Sequence, residues 1–411
     1  MNVAAYPKYE SYKHTSIKWS PEIPKHWDIM PLKSMAGLKS GDTITAEQFT
    51  SDGFPVYGGN GFRGFTDRKT HTGNFVLIGR QGALCGNVNY AHDDFFATEH
   101  AIVVSPKKSL ETIWLGEAIR CADFNQLSQS AAQPGISTEV IGNQRFPFPP
   151  LPEQRAIAAF LDGKCAKIDE AVRIKEEQIK LLRERRQILI QEAVTRGLNP
   201  DVPMKNSGID WIGEIPAHWE VRRGKYLFRE VNERSESGNE ELLSVSHTSG
   251  VTPRSEKNVN MFLAEDYTGS KLCRPGDIVI NTMWAWMGAL GVSDLRGIIS
   301  PSYGVYRSLQ KGAFNRRFLE WLLRTTPFIE QYNKISTGLH SSRLRLYPHM
   351  FLGMPIAFPN RDEQDSIVTH VEVEAEKIDK AISIKQDQIT TLKEYKTSLI
   401  NSAVTGKIKV I

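Results

Sequence analysis

Apolar and gap positions recur in steps of four and three at Leu161, Cys165, Ile168, Val172, Lys175, Ile179, Leu182, Arg186, Leu189 and Ala193. The same rhythm returns at Val371, Ala375, Ile378, Ile382, Lys385, Ile389, Leu392, Lys396, Leu399 and Ala403. Each series runs for more than four heptads, which is the pattern of a coiled coil. Each predicts a helix of about 45 residues, roughly 65–70 Å long at 1.5 Å per residue. Neither helix can cover its stripe alone. With a globular segment between them, an antiparallel pairing of the two copies is expected. Lys175 with Lys385, and Arg186 with Lys396, put cations on both stripes. These side chains either fix register or carry their charge out to water along the stem.

The helical stripe is one part of a longer internal repeat, a feature that dictates architecture. Phe148 to Gly197 realigns with Phe358 to Lys407 at a constant offset of 210 residues. Lys13 to Lys33 realigns with Lys205 to Lys225 at an offset of 192. Between these blocks short β-prone runs match: Phe75–Gly79 with Asp277–Asn281, and Thr98–Val104 with Ser300–Tyr306. A turn block matches too, Gln133 to Ser137 against Ser336 to Ser341. The pattern predicts an α+β chain with a pseudo-two-fold internal repeat: two similar globular domains, separated by two long helices that form an antiparallel coiled coil. The expected boundaries are 1–150 for the first globular domain and 151–197 for the first spacer helix. A linker at 198–208, a second domain at 209–360 and a helix with C-terminal tail at 361–411 follow. Gly197-Leu198-Asn199-Pro200 stops the first helix.

Length and composition add limits. At 411 residues each half can bury a core, and 40% hydrophobic with 24% charged residues is ordinary for a globular protein. The four cysteines are scattered without a Cys-x-x-Cys, which argues against a disulfide scaffold and a zinc site. No signal segment and no run of 18 apolar residues is present, so a cytoplasmic location without a membrane partner is expected. A net charge of +4 permits an anionic partner without demanding one.

Candidate chemistry is sparse. Gly58-Gly59-Asn60-Gly61-Phe62-Arg63 is glycine-rich, but no Lys-Ser or Lys-Thr follows; a tight turn presenting Arg63 is expected instead of a nucleotide loop. His92, Asp93, Asp94, Glu99 and His100 have no metal-ligand spacing, so no metal is expected. The Trp19–Trp27 and Trp211–Trp219 blocks, each with a histidine (His26, His218), read as structural segments at a domain entrance. No catalytic constellation stands out, and the chain is expected not to be an enzyme. What the loops offer is donors: Arg63, Arg80, Gln81 and Gln133 in the first half, Arg254, Asn281, His340, Arg343 and Arg345 in the second. Arg pairs bidentately with guanine and Gln or Asn with adenine in the major groove, while cations take phosphates. Trp284 and Trp286 read as loop anchors.

Taken in order, the doubled Trp-x-x-Glu-Ile-Pro-x-His-Trp block (Trp19–Trp27, Trp211–Trp219), Tyr57-Gly58-Gly59-Asn60-Gly61, Arg274-Pro275-Gly276-Asp277-Ile278-Val279, and Pro149-Pro150-Leu151-Pro152-Glu153-Gln154 resemble the specificity subunit of a Type I restriction–modification system. The resemblance covers nearly the whole chain. One departure is Pro359-Asn360-Arg361-Asp362-Glu363-Gln364, which lacks the double proline and predicts a less sharp helix start. The family implies two target-recognition domains, each reading one half of a split, asymmetric double-stranded DNA sequence. It implies a non-catalytic chain docking two methyltransferase subunits, with restriction subunits joining. S-adenosylmethionine and ATP belong to those partners, and no cofactor is expected here. The competing reading is an adaptor whose paired domains bind protein or glycan. The bases read and the length of the unread gap are not legible in the sequence.

Overall fold

The heptad stripes form two helices, and around their ends the chain builds the same sheet twice. The computed structural model describes residues 3–128, 134–256, 266–338 and 344–410. The chain divides into two compact units that do not follow chain order: residues 1–177 with 385–411, and residues 178–384. Each unit therefore owns half of each long helix.

In the first unit the central sheet consists of β1 (Ala36–Ser40), β2 (Phe75–Gly79), β3 (Val88–Ala91) and β4 (Ala101–Pro106). Their order is β1-β4-β2-β3, antiparallel throughout. Helix α1 (Thr112–Cys121) packs on β2 and β3. The run Phe75–Gly79 buries Val76, Leu77 and Ile78 completely or nearly so, as expected of a central strand covered on both faces. A second set of strands, including the Phe54–Gly58 and Gly61–Thr66 hairpin, lies beside this sheet.

The second unit repeats the plan with β5 (Phe228–Glu230), β6 (Ile278–Ile280), β7 (Leu290–Val292) and β8 (Gly304–Ser308). The order β5-β8-β6-β7 is the same, and so is the register. Val76 faces Val104 in the first unit and Ile278 faces Tyr306 in the second, each pair offset by 202. Helix α3 (Arg316–Leu323) takes the place of α1. The accessory strands differ: here they are the pairs Leu243–Ser246 with Gly250–Pro253 and Lys271–Cys273 with Gly297–Ile299. The two domains are thus one α+β fold with separate elaborations.

Long helices α2 (Leu151–Arg196) and α4 (Arg361–Val404) carry the two stripes. Leu161, Ile168, Val172, Ile179, Val371, Ile378, Ile389, Leu392 and Leu399 are buried, whereas Leu182, Leu189 and Ile382 are half-buried. In the first unit Lys396 donates to both carboxylate oxygens of Asp169 at 2.7 Å, and Lys175 to the Gln388 side-chain oxygen at 2.7 Å. In the second unit Arg186 Nε lies 3.4 Å from Asp379. Residue numbers rise on one helix as they fall on the other, so the pairing is antiparallel. Asp169 and Asp379 are the same repeat position, as are Arg186 and Lys396, so one cross-helix ion pair is made once in each unit. Such exposed pairs contribute about 0–1 kcal/mol each, against roughly 1.5–3 kcal/mol for a fully buried apolar side chain. The seam holds the helices together, and the cations select register.

The second helix starts at Arg361 as sharply as the first starts at Leu151, which corrects the expectation from its missing proline. Asn360 Oδ1 accepts from the Glu363 N–H at 3.0 Å, so an asparagine N-cap does the work. Gly197, with φ of +77°, ends α2 in the left-handed conformation that favours glycine.

Candidate nucleic-acid interface

The helix starts are tied to their domains by two side chains in succession. In the first unit Glu153 accepts from Trp27 Nε1 at 2.8 Å and from the Tyr9 hydroxyl at 2.9 Å, and lies 2.6 Å from His26 Nε2. In the second, Glu363 accepts from Trp219 Nε1 at 3.0 Å and meets His218 Nε2 at 2.7 Å. Both tryptophans are buried. The next residue, fully buried in both copies, faces the other way. Gln154 accepts from the backbone N–H of Glu111 at 3.1 Å, at the entry to α1. Gln364 accepts from the backbone N–H of Asn315 at 2.9 Å, at the entry to α3. The Glu-Gln pair thus clamps the entrance strap and the domain helix to the first turn of the spacer helix. The sequence showed the repeated Glu-Gln and the repeated His-Trp, but not that they touch across 127 and 145 residues. His26 and His218 take the structural role expected of them.

Burial pushes the Glu153 carboxyl upward, but the donors from Trp27, His26 and Tyr9 outweigh it and leave it below the usual carboxylate range. A depressed folded value means that the stabilisation is fully present above the unfolded pKa of about 4.3 and lost as pH falls through the lower, folded value. Glu153→Gln turns one acceptor into a donor facing donors. It should cost about 1–3 kcal/mol and flatten the acid limb of the melting temperature plotted against pH. A melting profile that superimposes on that of the unsubstituted protein would dispose of the clamp.

The candidate donors gather at one end of each central sheet. In the first unit Arg80 and Gln81 leave the C-terminal end of β2 and are exposed. Arg80 Nη1 donates to Ser40 Oγ at 3.3 Å, and its backbone N–H to His100 O at 2.8 Å. Gln81 bridges Gly135, and Gly59 lies against the same loop, where an added Cβ would sit 2.9 Å from His100 O. Arg63 follows the tight turn expected at Gly59-Asn60 and is exposed, its guanidinium 6.0 Å from the Phe49 ring centroid.

In the second unit the equivalent end of β6 carries Asn281, Trp284 and Arg345. Arg345 is exposed and lies 4.0 Å from Met283 Sδ, and Leu346 N–H donates to Thr282 O at 2.9 Å. Arg254 is half-buried, close enough to the Tyr303 hydroxyl to oppose the upward push that burial gives it. Asn281 departs from the expectation. It is buried, its Nδ2 donates to Tyr303 Oη at 3.0 Å, and its Oδ1 accepts from Met283 N–H at 3.3 Å. With both amide atoms occupied it shapes the loop from within. Gln133, His340 and Arg343 lie outside the described residues.

The loops also differ from expectation in their tips. Trp284 is 51% exposed and stacks on Trp286, so it projects where an anchor was expected. The matching loop of the first unit exposes Leu84 to 52%. Gly86 and Gly288, both at positive φ and 202 residues apart, close the two loops alike. Among the described residues no group of three His, Cys, Asp or Glu is gathered as metal ligands, and no helix is long and apolar enough to cross a membrane.

The family model described as Type I restriction modification DNA specificity domain matches residues 24–181. The EcoprrI specificity subunit of Escherichia coli is 41% identical over 109 residues, covering 26% of this chain and 27% of that one. The MjaVIII specificity subunit of Methanocaldococcus jannaschii is 24% identical over 357 residues, covering 82% of this chain and 80% of that one. Over these stretches the chain is similar to Type I restriction enzyme specificity subunits. Solved structures share the fold of this chain. A chain from work on complex assembly and conformational transition of the type I R-M system has a TM-score of 0.66 at 16% identity, covering 93% of this chain and 98% of its own. The HsdS subunit from Thermoanaerobacter tengcongensis gives 0.53 at 17%, covering 94% and 98%. In this chain the clamp's Glu-Gln and His-Trp pairs and the seam lie in the repeated sequence blocks, and the loop tips lie in the divergent ones.

Proposed function

We propose that each domain of this specificity subunit reads one half of a split, asymmetric DNA target through the loops at the C-terminal ends of β2 and β6, without itself catalysing a reaction. The observation that carries this is the doubled sheet: one strand order, one register, and at the same end of each an exposed loop with a different set of side chains. Arg80, Gln81 and Arg63 serve one half-site, and Arg254, Trp284 and Arg345 the other. Forked guanidinium and amide donors suit base edges, while Leu84 and Trp284 offer apolar contact to a thymine methyl or a base face. The paired helices act as the spacer. On α2, Ile174, Leu181 and Ile188 recur at seven residues and are all exposed, a stripe outside the seam that suits a docking helix. Two methyltransferase subunits are the proposed occupants, bringing S-adenosylmethionine, with ATP-dependent restriction subunits joining them.

Single-molecule sequencing of methylated adenines in cells with and without this gene tests the reading. A bipartite motif that vanishes with the gene is expected; an unchanged methylome would end it. At residue level, Arg80→Ala should weaken binding by about 1–3 kcal/mol if it reads a base. Its discrimination should then relax at one position of one half-site, as measured by titration of the methyltransferase complex on duplexes altered in each half.

A further inference from the structure

At the other end of the second sheet lies a cleft that the proposed reading does not use. It has a volume of about 860 Å³ and is lined by Arg274, Arg307, Lys311, Arg316, Arg317 and Arg361, with Asp277 and Asp294. It sits where β6 begins and β8 ends, opposite the loop at Asn281. Four of the cations have carboxylate partners. Arg307 forks onto Asp277 at 2.7 and 2.8 Å and reaches Glu233 at 2.8 Å. Arg274 meets Glu233 at 2.9 Å, Arg316 meets Asp294 at 3.2 Å, and Arg361 meets Asp365 at 2.9 Å. Lys311 and Arg317 are exposed and have no partner among the described residues. Six cations against four carboxylates leave two positive charges.

The fold does not require this charge. In the first unit the positions equivalent to Arg274, Arg307 and Arg361 are Thr72, Ser105 and Leu151, by the offsets of 202 and 210. Those equivalent to Arg316 and Arg317 are Thr112 and Ile113, because Glu111 and Asn315 make the same bond to Gln154 and Gln364. The same sheet and the same helix entry are built there without one of these guanidiniums. Arg274 and Arg316 are exposed, and exposed ion pairs hold their partners only weakly. An incoming dianion can recruit their forks alongside the two unpaired cations. Tetrahedral oxyanions match forked donors, and a charge of two negatives matches the surplus.

We infer that this cleft is a phosphate site, taking either adjacent phosphodiesters of a duplex or the phosphoryl groups of a free polyphosphate. The inference goes beyond the half-site reading and stands without it. The test uses the full chain, with inorganic pyrophosphate in isothermal titration and a non-cognate duplex in fluorescence anisotropy across a salt series. Pyrophosphate should bind, and the double variant Lys311→Ala/Arg317→Ala should weaken it at least tenfold, with an unchanged melting temperature showing that the fold is intact. If the salt slope of duplex binding also falls by about two, as loss of two phosphate contacts requires, the source is the DNA backbone. If pyrophosphate binding is lost but the slope stays, the source is a free polyphosphate. Absence of pyrophosphate binding together with an unchanged slope overturns the site. So does stronger competition by poly-glutamate than by pyrophosphate, which would mark an acidic peptide. None of these readouts depends on which half-site is methylated.

Discussion

Seven residues inserted after Glu177 together with seven after Asp387 should lengthen the unread gap of the methylated target by about three base pairs, leaving both half-sites as they were. The two insertion points are equivalent in the repeat and lie beside the Lys175–Gln388 contact. A full heptad restores the apolar seam in phase on both helices. Seven residues add roughly 10.5 Å of helix, and a duplex rises about 3.4 Å per step. Inserting the heptad in one helix alone has a different expected result. Lys396 with Asp169 and Arg186 with Asp379 could no longer both stand in register, and the apolar stripes would face one another out of step. That variant should melt at lower temperature and lose methylation. Methylome sequencing reads the first outcome directly. A gap of unchanged length in the doubly lengthened protein would rule out the helices as the spacer.

Replacing residues 32–144 by the corresponding segment of a Type I restriction enzyme specificity subunit should rewrite one half-site and spare the other. The cut points fall just inside the strand pair Asp28–Pro31 with Arg145–Phe148, so that pair stays intact. Tyr9, His26, Trp27 and Glu153 all lie outside the exchanged segment. The one clamp contact that enters it, from Gln154, takes a backbone N–H at Glu111, which any residue other than proline supplies. The clamp is therefore indifferent to the side chains imported, whereas Phe146 and Phe148 pack on Phe124 and Trp114 and require apolar residues at those two places. Methylation of the original site should fall to background, since each mismatched base costs about 1–3 kcal/mol and several would be wrong at once. A chimera that changed both half-sites would contradict the assignment of one domain to each.

These tests rest on features that were legible to different degrees. The heptad stripes and the offsets of 192, 202 and 210 residues predict the helices, the doubled domain and its matching β-prone runs, because periodicity and repetition are properties of the chain as written. Arg80, Gln81, Arg63 and Arg345 could be nominated as exposed donors from residue type and turn context. Asn281 could not be told apart from them. Its burial depends on Tyr303, 22 residues away, across a sheet whose pairing no local pattern specifies. Trp284 was misread for the converse reason: an aromatic residue normally finds a core, and this one stands on a short loop whose own turn is filled by the buried Ala285.

By itself the sequence determined that there are two copies of one domain and two helices to pair, since a stripe of apolar side chains must be covered and a repeated stripe offers its own partner. Only the tertiary structure decided which end of each sheet carries the loops, that Glu153 and Glu363 clamp the helix entries, and that six cations meet around one cleft. Those arrangements depend on contacts between residues far apart in the chain, and their geometry is fixed only when the sheets close and the core excludes water.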